Sequence, residues 1–171
     1  MSTACLLKRE TRILGLTAPR EGHGEWIIGA VFRGSLWLDA VLTYMPEESD
    51  ERSLPEFASF LKKTKQYPQI QVAIFSRESI LQRKYDDYRK LAELVRFPIF
   101  AIVSEPVRKL PRTEFIEIRR GKKKIRLWIN HHNPQLAREL YLLGCTDNQP
   151  LPEAVRVAKL VAERTKIRIG K

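Results

Sequence analysis

Nine cations crowd one short stretch of the chain: Arg108, Lys109, Arg112, Arg119, Arg120, Lys122, Lys123, Lys124 and Arg126, against only Glu114 and Glu117. Side chains of this kind, set on a hairpin, present a ridge of donors to phosphates, and much of the affinity then comes from counterion release. One or two lysines would suffice to guard an edge strand against aggregation. The density of the run therefore favours nucleic-acid binding over a merely solvated face. A second basic set, Arg156, Lys159, Arg164, Lys166, Arg168 and Lys171, closes the chain. It reads equally as a tail entering a nucleic-acid groove or as a frayed end.

Other chemistry is thinner. Asp39 and the cluster Glu47, Glu48, Asp50 and Glu51 are carboxylates able to hold a divalent ion. His131 and His132 are adjacent, so on an extended segment they face opposite ways, with no Cys or carboxylate at ligand spacing. His23 lies between glycines in a loop, and Asp86-Asp87 suits the first turn of a helix. Trp37 and Trp128 are able to stack on bases, but their strands are rich in Ile and Leu, which predicts burial. Gly-rich phosphate loops, serine nucleophile elbows and EF-hand spacing are all missing.

Composition narrows the classes. The 171 residues are 43% hydrophobic and 30% charged, the mix of a soluble globular domain. The formal net charge of +11 favours a polyanionic partner. The longest apolar run, Ile99 to Val103, is far short of the roughly 18 residues a membrane span needs. Cys5-Leu6-Leu7 is cut off at once by Lys8-Arg9-Glu10, so no signal peptide is expected. Cys5 and Cys145 form no framework, and a reducing cytoplasm is the expected setting.

The elements that must carry these residues follow from periodicity. Arg12 to Leu16 reads as a strand. Trp26 to Arg33 and Leu36 to Tyr44 read as two more, joined by a two-residue turn at Gly34-Ser35. Ser53-Leu54-Pro55-Glu56 opens a helix with a capping box and a proline in its first turn, and Tyr67-Pro68 ends it. Ile70 to Phe75 is a strand, Lys84 to Arg96 an amphipathic helix, and Ile99 to Val103 a strand buried on both faces. Strand, helix, strand with a short connection makes a parallel crossover. Phe115 to Arg119 and Lys123 to Ile129 form a second hairpin around Arg120-Gly121. Asn133-Pro134 caps a helix that Gly144 ends, and Pro152 starts a last helix reaching about Arg164. This order is used by ribonuclease-H-like nucleases, one candidate among several on pattern alone.

Three segments carry a more specific resemblance. Ile28 to Leu42 (IGAVFRGSLWLDAVL), Tyr67 to Val72 (YPQIQV) and Leu151 to Ala162 (LPEAVRVAKLVA) are similar, in order and spacing, to an archaeal family of unknown function related to endonuclease V. The resemblance covers nearly the whole chain from Arg12. It implies a ribonuclease-H-like fold and common ancestry with metal-dependent nucleases acting on deaminated nucleic acid. The departures fall where that family carries its active-site residues. Its first strand ends Gly-Ile-Asp-Asp-Gly, where this chain has Gly15-Leu16-Thr17-Ala18-Pro19. Its central strand ends with an Asp-Gly pair, where this chain has Ser76-Arg77. Its last helix carries a His where this chain has Lys159. Hydroxyls coordinate a divalent ion weakly, and Arg77, Arg83, Lys84 and Lys159 would repel one nearby.

The resulting expectation is a single domain over 1–171, α/β and ribonuclease-H-like (endonuclease V-like), with a mixed sheet and flanking helices. A basic hairpin is placed at about 113–129 and C-terminal helices at about 133–164. The expected function is that of a catalytically inert relative binding nucleic acid, RNA favoured over DNA, as part of a ribonucleoprotein such as the ribosome. The expected contacts are Arg77, Arg83, Lys84, Arg108, Lys109, Arg112, Arg119, Arg120, Lys122, Lys123, Lys124, Arg126 and Lys159. No cofactor, metal or membrane partner is expected. Two alternatives stand beside it: an active nuclease with a metal site rebuilt on Asp39 and the Glu47–Glu51 cluster, and a protein–protein adaptor.

Overall fold

Strand β1 (Arg12–Thr17) lies at the centre of the molecule and is paired on both sides. On one side β2 (Ile27–Arg33) runs antiparallel to it and β3 (Trp37–Tyr44) antiparallel to β2. On the other side β4 (Ile70–Phe75) and β5 (Ile99–Val103) run parallel to it. The computed structural model describes residues 10–18, 26–45, 53–77, 85–103, 114–147 and 149–169. The second hairpin, β6 (Phe115–Arg120) and β7 (Lys123–Ile129), joins through β7, giving a seven-stranded sheet in the order β3-β2-β1-β4-β5-β7-β6.

Four helices cover the sheet: α1 (Ser53–Lys63), α2 (Tyr85–Val95), α3 (Pro134–Leu143) and α4 (Glu153–Ile169). The alternation of β1 sorts the core into two layers. Leu14 and Leu16 pack with Phe57 and Leu61 of α1 and Tyr88 and Leu91 of α2. Ile13 packs on the opposite face with Ala137, Leu140 and Tyr141 of α3 and Ala154, Val155 and Ala158 of α4. The parallel crossover β4-α2-β5 is present as expected. So is the α3 start, where the Asn133 side chain accepts from the Leu136 amide at 3.0 Å.

Several expectations need correction. Arg33 pairs with Trp37, so the first hairpin closes over three residues, Gly34 to Leu36, and not two. In the second hairpin Arg120 pairs with Lys123, moving the turn one residue on, to Gly121-Lys122. Gly121 takes a φ of 57°, which L side chains adopt with strain. Helix α4 continues to Ile169 instead of stopping near Arg164. Trp128 is buried as expected, but Trp37 is 68% exposed. It begins an edge strand beside a turn, beyond the cover of the helices.

Candidate nucleic-acid interface

Two adjacent parallel strands whose connections depart in opposite directions leave a crevice beyond their carboxyl ends, the usual ligand position in open α/β sheets. β1 leads leftward into β2, and β4 leads rightward through α2 into β5, so that crevice lies beyond Thr17 and Phe75. At its floor the Ser76 Oγ donates to the Thr17 Oγ1 at 2.8 Å, and the Ser76 amide donates to the Leu16 carbonyl at 2.8 Å. Thr17 is buried. Arg77 donates through one terminal nitrogen to the Ala18 carbonyl at 3.5 Å, while its Nε is buried with no hydrogen-bond partner. Two hydroxyls bonded to one another, beside a guanidinium, do not offer the anionic oxygen cage a divalent ion takes. Among the described residues, no three His, Cys, Asp or Glu side chains gather where they could hold a metal.

Helix α4 is seated on β1 by a glycine. A Cβ on Gly15 would stand 2.2 to 2.4 Å from the backbone of Ala154 and Val155, so only glycine lets the helix sit on β1. A Cβ on Gly144 would meet Ile13 and Pro152, so the connection into α4 packs on β1 as well. Lys159, further along α4, is exposed.

The basic hairpin reaches the same end. β7 is antiparallel to β5, with Val103 opposite Arg126, so Ile125, Lys124, Lys123 and the Gly121-Lys122 tip project beyond the carboxyl end of β5. Among the described residues, the hairpin cations do not form one ridge. Strand alternation divides them, because Ile116, Ile118, Ile125 and Leu127 face α3 and α4. Arg119, Lys124 and Arg126 share the other face with Glu117. There Lys124 lies 2.8 Å and Arg126 3.8 Å from the Glu117 carboxylate. The Lys124 hydrogen bond is the main cause that holds the Glu117 carboxyl below its usual range. Arg126 also lies over the Phe115 ring, 5.9 Å from its centroid.

On the α3 side Arg120 donates to the carbonyls of Thr146 and Asp147, pinning the hairpin to the connection between α3 and α4. Between them opens a groove of about 830 Å³ lined by Arg119, Arg120, Lys122 and Lys123, with Asp147 and Gln149 opposite. No residue pattern signals the wall made by Asp147, Gln149 and Pro150. Its contact with the hairpin spans 26 residues and uses backbone carbonyls, which carry no residue-type signal. Of the remaining expected contacts, Arg83, Lys84, Arg108, Lys109 and Arg112 lie outside the described residues, as do Glu47, Glu48, Asp50, Glu51 and His23.

Asp39 is at the other end of the sheet. It accepts from the Arg12 Nε at 2.7 Å and the Arg33 Nε at 2.9 Å. Burial opposes its ionisation, but the hydrogen bonds from Arg33 and Arg12 outweigh that and hold the carboxyl below its usual range. Arg12 to Thr17 is five strand steps, about 16 Å, so Asp39 does not join the Thr17–Ser76 crevice. The histidines also stand at this end. His131 and His132 line a second groove, of about 740 Å³, with Arg89, Glu93, Glu114 and Asn130. The His131 Nδ1 is engaged by the Asn133 amide at 3.0 Å.

No protein-family model matches the chain, and no curated protein matches it in sequence. Solved structures do match. An Archaeoglobus fulgidus protein of unknown function superposes with a TM-score of 0.70 at 16% identity, over 90% of this chain and 97% of that one. Endonuclease V of Ciona intestinalis, solved with a 24mer DNA containing an inosine followed by a ribo-adenosine, gives 0.62 at 12% identity, over 93% of this chain and 87% of that one. The Argonaute of Marinitoga piezophila, solved with a 5′ OH guide RNA and target DNA, gives 0.56 at 10% identity. There this chain covers 30% of the larger protein. The architecture is the α/β ribonuclease-H-like fold that the family resemblance implied.

Proposed function

We propose that this chain binds nucleic acid, RNA in preference to DNA, at the carboxyl end of its sheet, and that it does so without cutting it. The observation that supports this reading most is the hairpin tip, which projects beyond the carboxyl end of β5 and brings Arg120, Lys122 and Lys123 around a groove. The Thr17–Ser76 floor, at the carboxyl ends of β1 and β4, supplies no carboxylate. A phosphodiester backbone is recognised by such donors directly, with no ion between. Solved neighbours with the same fold hold DNA or a guide RNA, which agrees with the reading. A binder of this kind suits a ribonucleoprotein, where Arg77 and Lys159 would meet the strand.

The test is one gel. Labelled single-stranded and duplex RNA and DNA, with and without inosine, are incubated with the protein and Mg²⁺ or Mn²⁺ at two salt concentrations. A salt-sensitive mobility shift with intact substrate, stronger for RNA, is the expected result. Metal-dependent cleavage near inosine would establish the nuclease reading instead, and neither shift nor cleavage would leave the adaptor.

A further inference from the structure

The two edges of the sheet are built differently. β6 carries Glu117, Arg119 and Arg120, and such charges discourage another strand from pairing with it. β3 carries no lysine or arginine, and among the described residues nothing pairs with its outer side. Leu36 and Trp37 are each 68% exposed, Met45 58%, Leu38 50% and Val41 44%. Together these side chains expose on the order of 500 Å² of apolar surface, the scale at which a patch on a monomer marks an interface.

Charge identifies the occupant. Gly34 to Glu51 is the longest stretch of the chain without Lys or Arg, and Asp39 is the only charged residue within β3. Leu38 pairs with Phe32 and Ala40 with Val31, so Asp39 is the extra residue of a β-bulge. Its carboxylate is taken up by Arg12 and Arg33 of its own chain. The edge is thus neutral on a protein of net charge +11. Without a cation it has nothing to hold a phosphate, so it does not extend the nucleic-acid surface. It is also the surface on which two copies of a cationic chain meet without like charges opposed.

We propose that β3 pairs antiparallel with β3 of a second copy, about a two-fold axis near Val41, to form a homodimer. This arrangement lays the Leu36–Leu38 end of one strand against the Met45 end of the other, so the apolar residues at the two ends cover one another. Such a contact is isologous and closes on itself. The apolar side chains and the backbone of eight strand residues approach the roughly 800 Å² per partner that a specific interface buries. Dimerisation would leave the hairpin groove open, at the opposite edge of the sheet from the contact, and place two such grooves in one particle.

The experiment uses the full chain, treated with nuclease and washed at high salt, in sedimentation velocity over a concentration series. A reversible dimer is expected. Val41→Lys sets two like charges against each other at the axis and should weaken it at least about tenfold. In a Cys5→Ser background, Val41→Cys should form an intermolecular disulfide on mild oxidation, since residues paired across antiparallel strands lie within disulfide reach. Arg119→Cys on the opposite edge should not, and this arm decides the matter should Val41→Lys fail to fold. A wild-type chain that stays monomeric, a dimer unchanged by Val41→Lys, a dimer lost on nuclease treatment, or crosslinking through Arg119→Cys equal to that through Val41→Cys would each overturn the proposal.

Discussion

The two ends of the sheet treat charge in opposite ways. At the end where β1 and β4 begin, carboxylates are matched by arginines: Asp39 sits between Arg12 and Arg33, and Glu114 pairs with Arg89 while accepting from the Trp128 indole at 3.1 Å. At the end where those strands finish, Thr17 and Ser76 are uncharged. Beyond the carboxyl end of β5 the hairpin brings Arg120, Lys122 and Lys123 around a groove with Asp147 as their anionic neighbour. Net charge alone does not distinguish these situations. Arginines at the first end tie strands together, whereas on the hairpin Lys122 and Lys123 stand beside an open groove. Binding a polyanion is expected of the second kind only.

The largest effect available comes from removing the seat that α4 takes on β1. Gly15→Ala would force a Cβ into the backbone of Ala154 and Val155, atoms that cannot swing aside as a side-chain tip can. Overpacking against backbone in a filled core costs about 3 kcal/mol at its upper range. A loss of that size in urea unfolding is expected. A variant as stable as the parent would mean that α4 does not lie on β1 as described.

Charge reversal addresses the contrast itself. Lys122, Lys123 and Lys124 on the hairpin and Lys62, Lys63 and Lys65 at the end of α1 are all exposed, and α1 finishes beside the start of β4. Changing either trio to Glu alters the net charge equally. The hairpin trio should weaken nucleic-acid binding on the order of 100-fold and make the logarithmic salt slope shallower by about 2 to 3. The α1 trio should change affinity only about threefold, through long-range potential that salt screens. Equal losses from both trios would reduce the interface to bulk charge and remove the distinction between the ends.

Much of the architecture was legible because its signals are local. Asn133-Pro134, the apolar run Ile99–Val103 and the period of Tyr88, Leu91, Ala92 and Val95 each fix an element without reference to the rest of the chain. What sequence could not supply was which side chains meet. The hairpin cations looked like one ridge because they are consecutive, and strand alternation then separated Arg119, Lys124 and Arg126 from Arg120 and Lys123. Asp39 looked like half a metal site because nothing local showed that Arg12, 27 residues earlier, would reach it. Trp37 looked buried because its neighbours are Leu, and only the sheet order reveals that β3 is an edge.

Asp39 offers the smallest effect and the sharpest separation between the binder and the nuclease. Its folded carboxyl titrates below the ordinary 3.8, so protonation favours the unfolded chain. The stability it contributes is complete above about pH 4 and is lost as the pH falls through the lower, folded value. Asp39→Asn should therefore cost about 1 kcal/mol at neutral pH, limited because Arg33 is 42% exposed and solvent screens the pair. The stability curves of variant and parent should converge in strong acid. An active nuclease using Asp39 would need this carboxylate freed from two guanidiniums and carried to a metal, and Mg²⁺ would then stabilise the parent but not the variant. Thermal unfolding of both proteins with and without Mg²⁺ reads the two possibilities directly. Equal melting temperatures at both Mg²⁺ levels for the parent, with a fixed deficit in the variant, are the expected outcome of a structural clamp that ties β3 to β1 and β2.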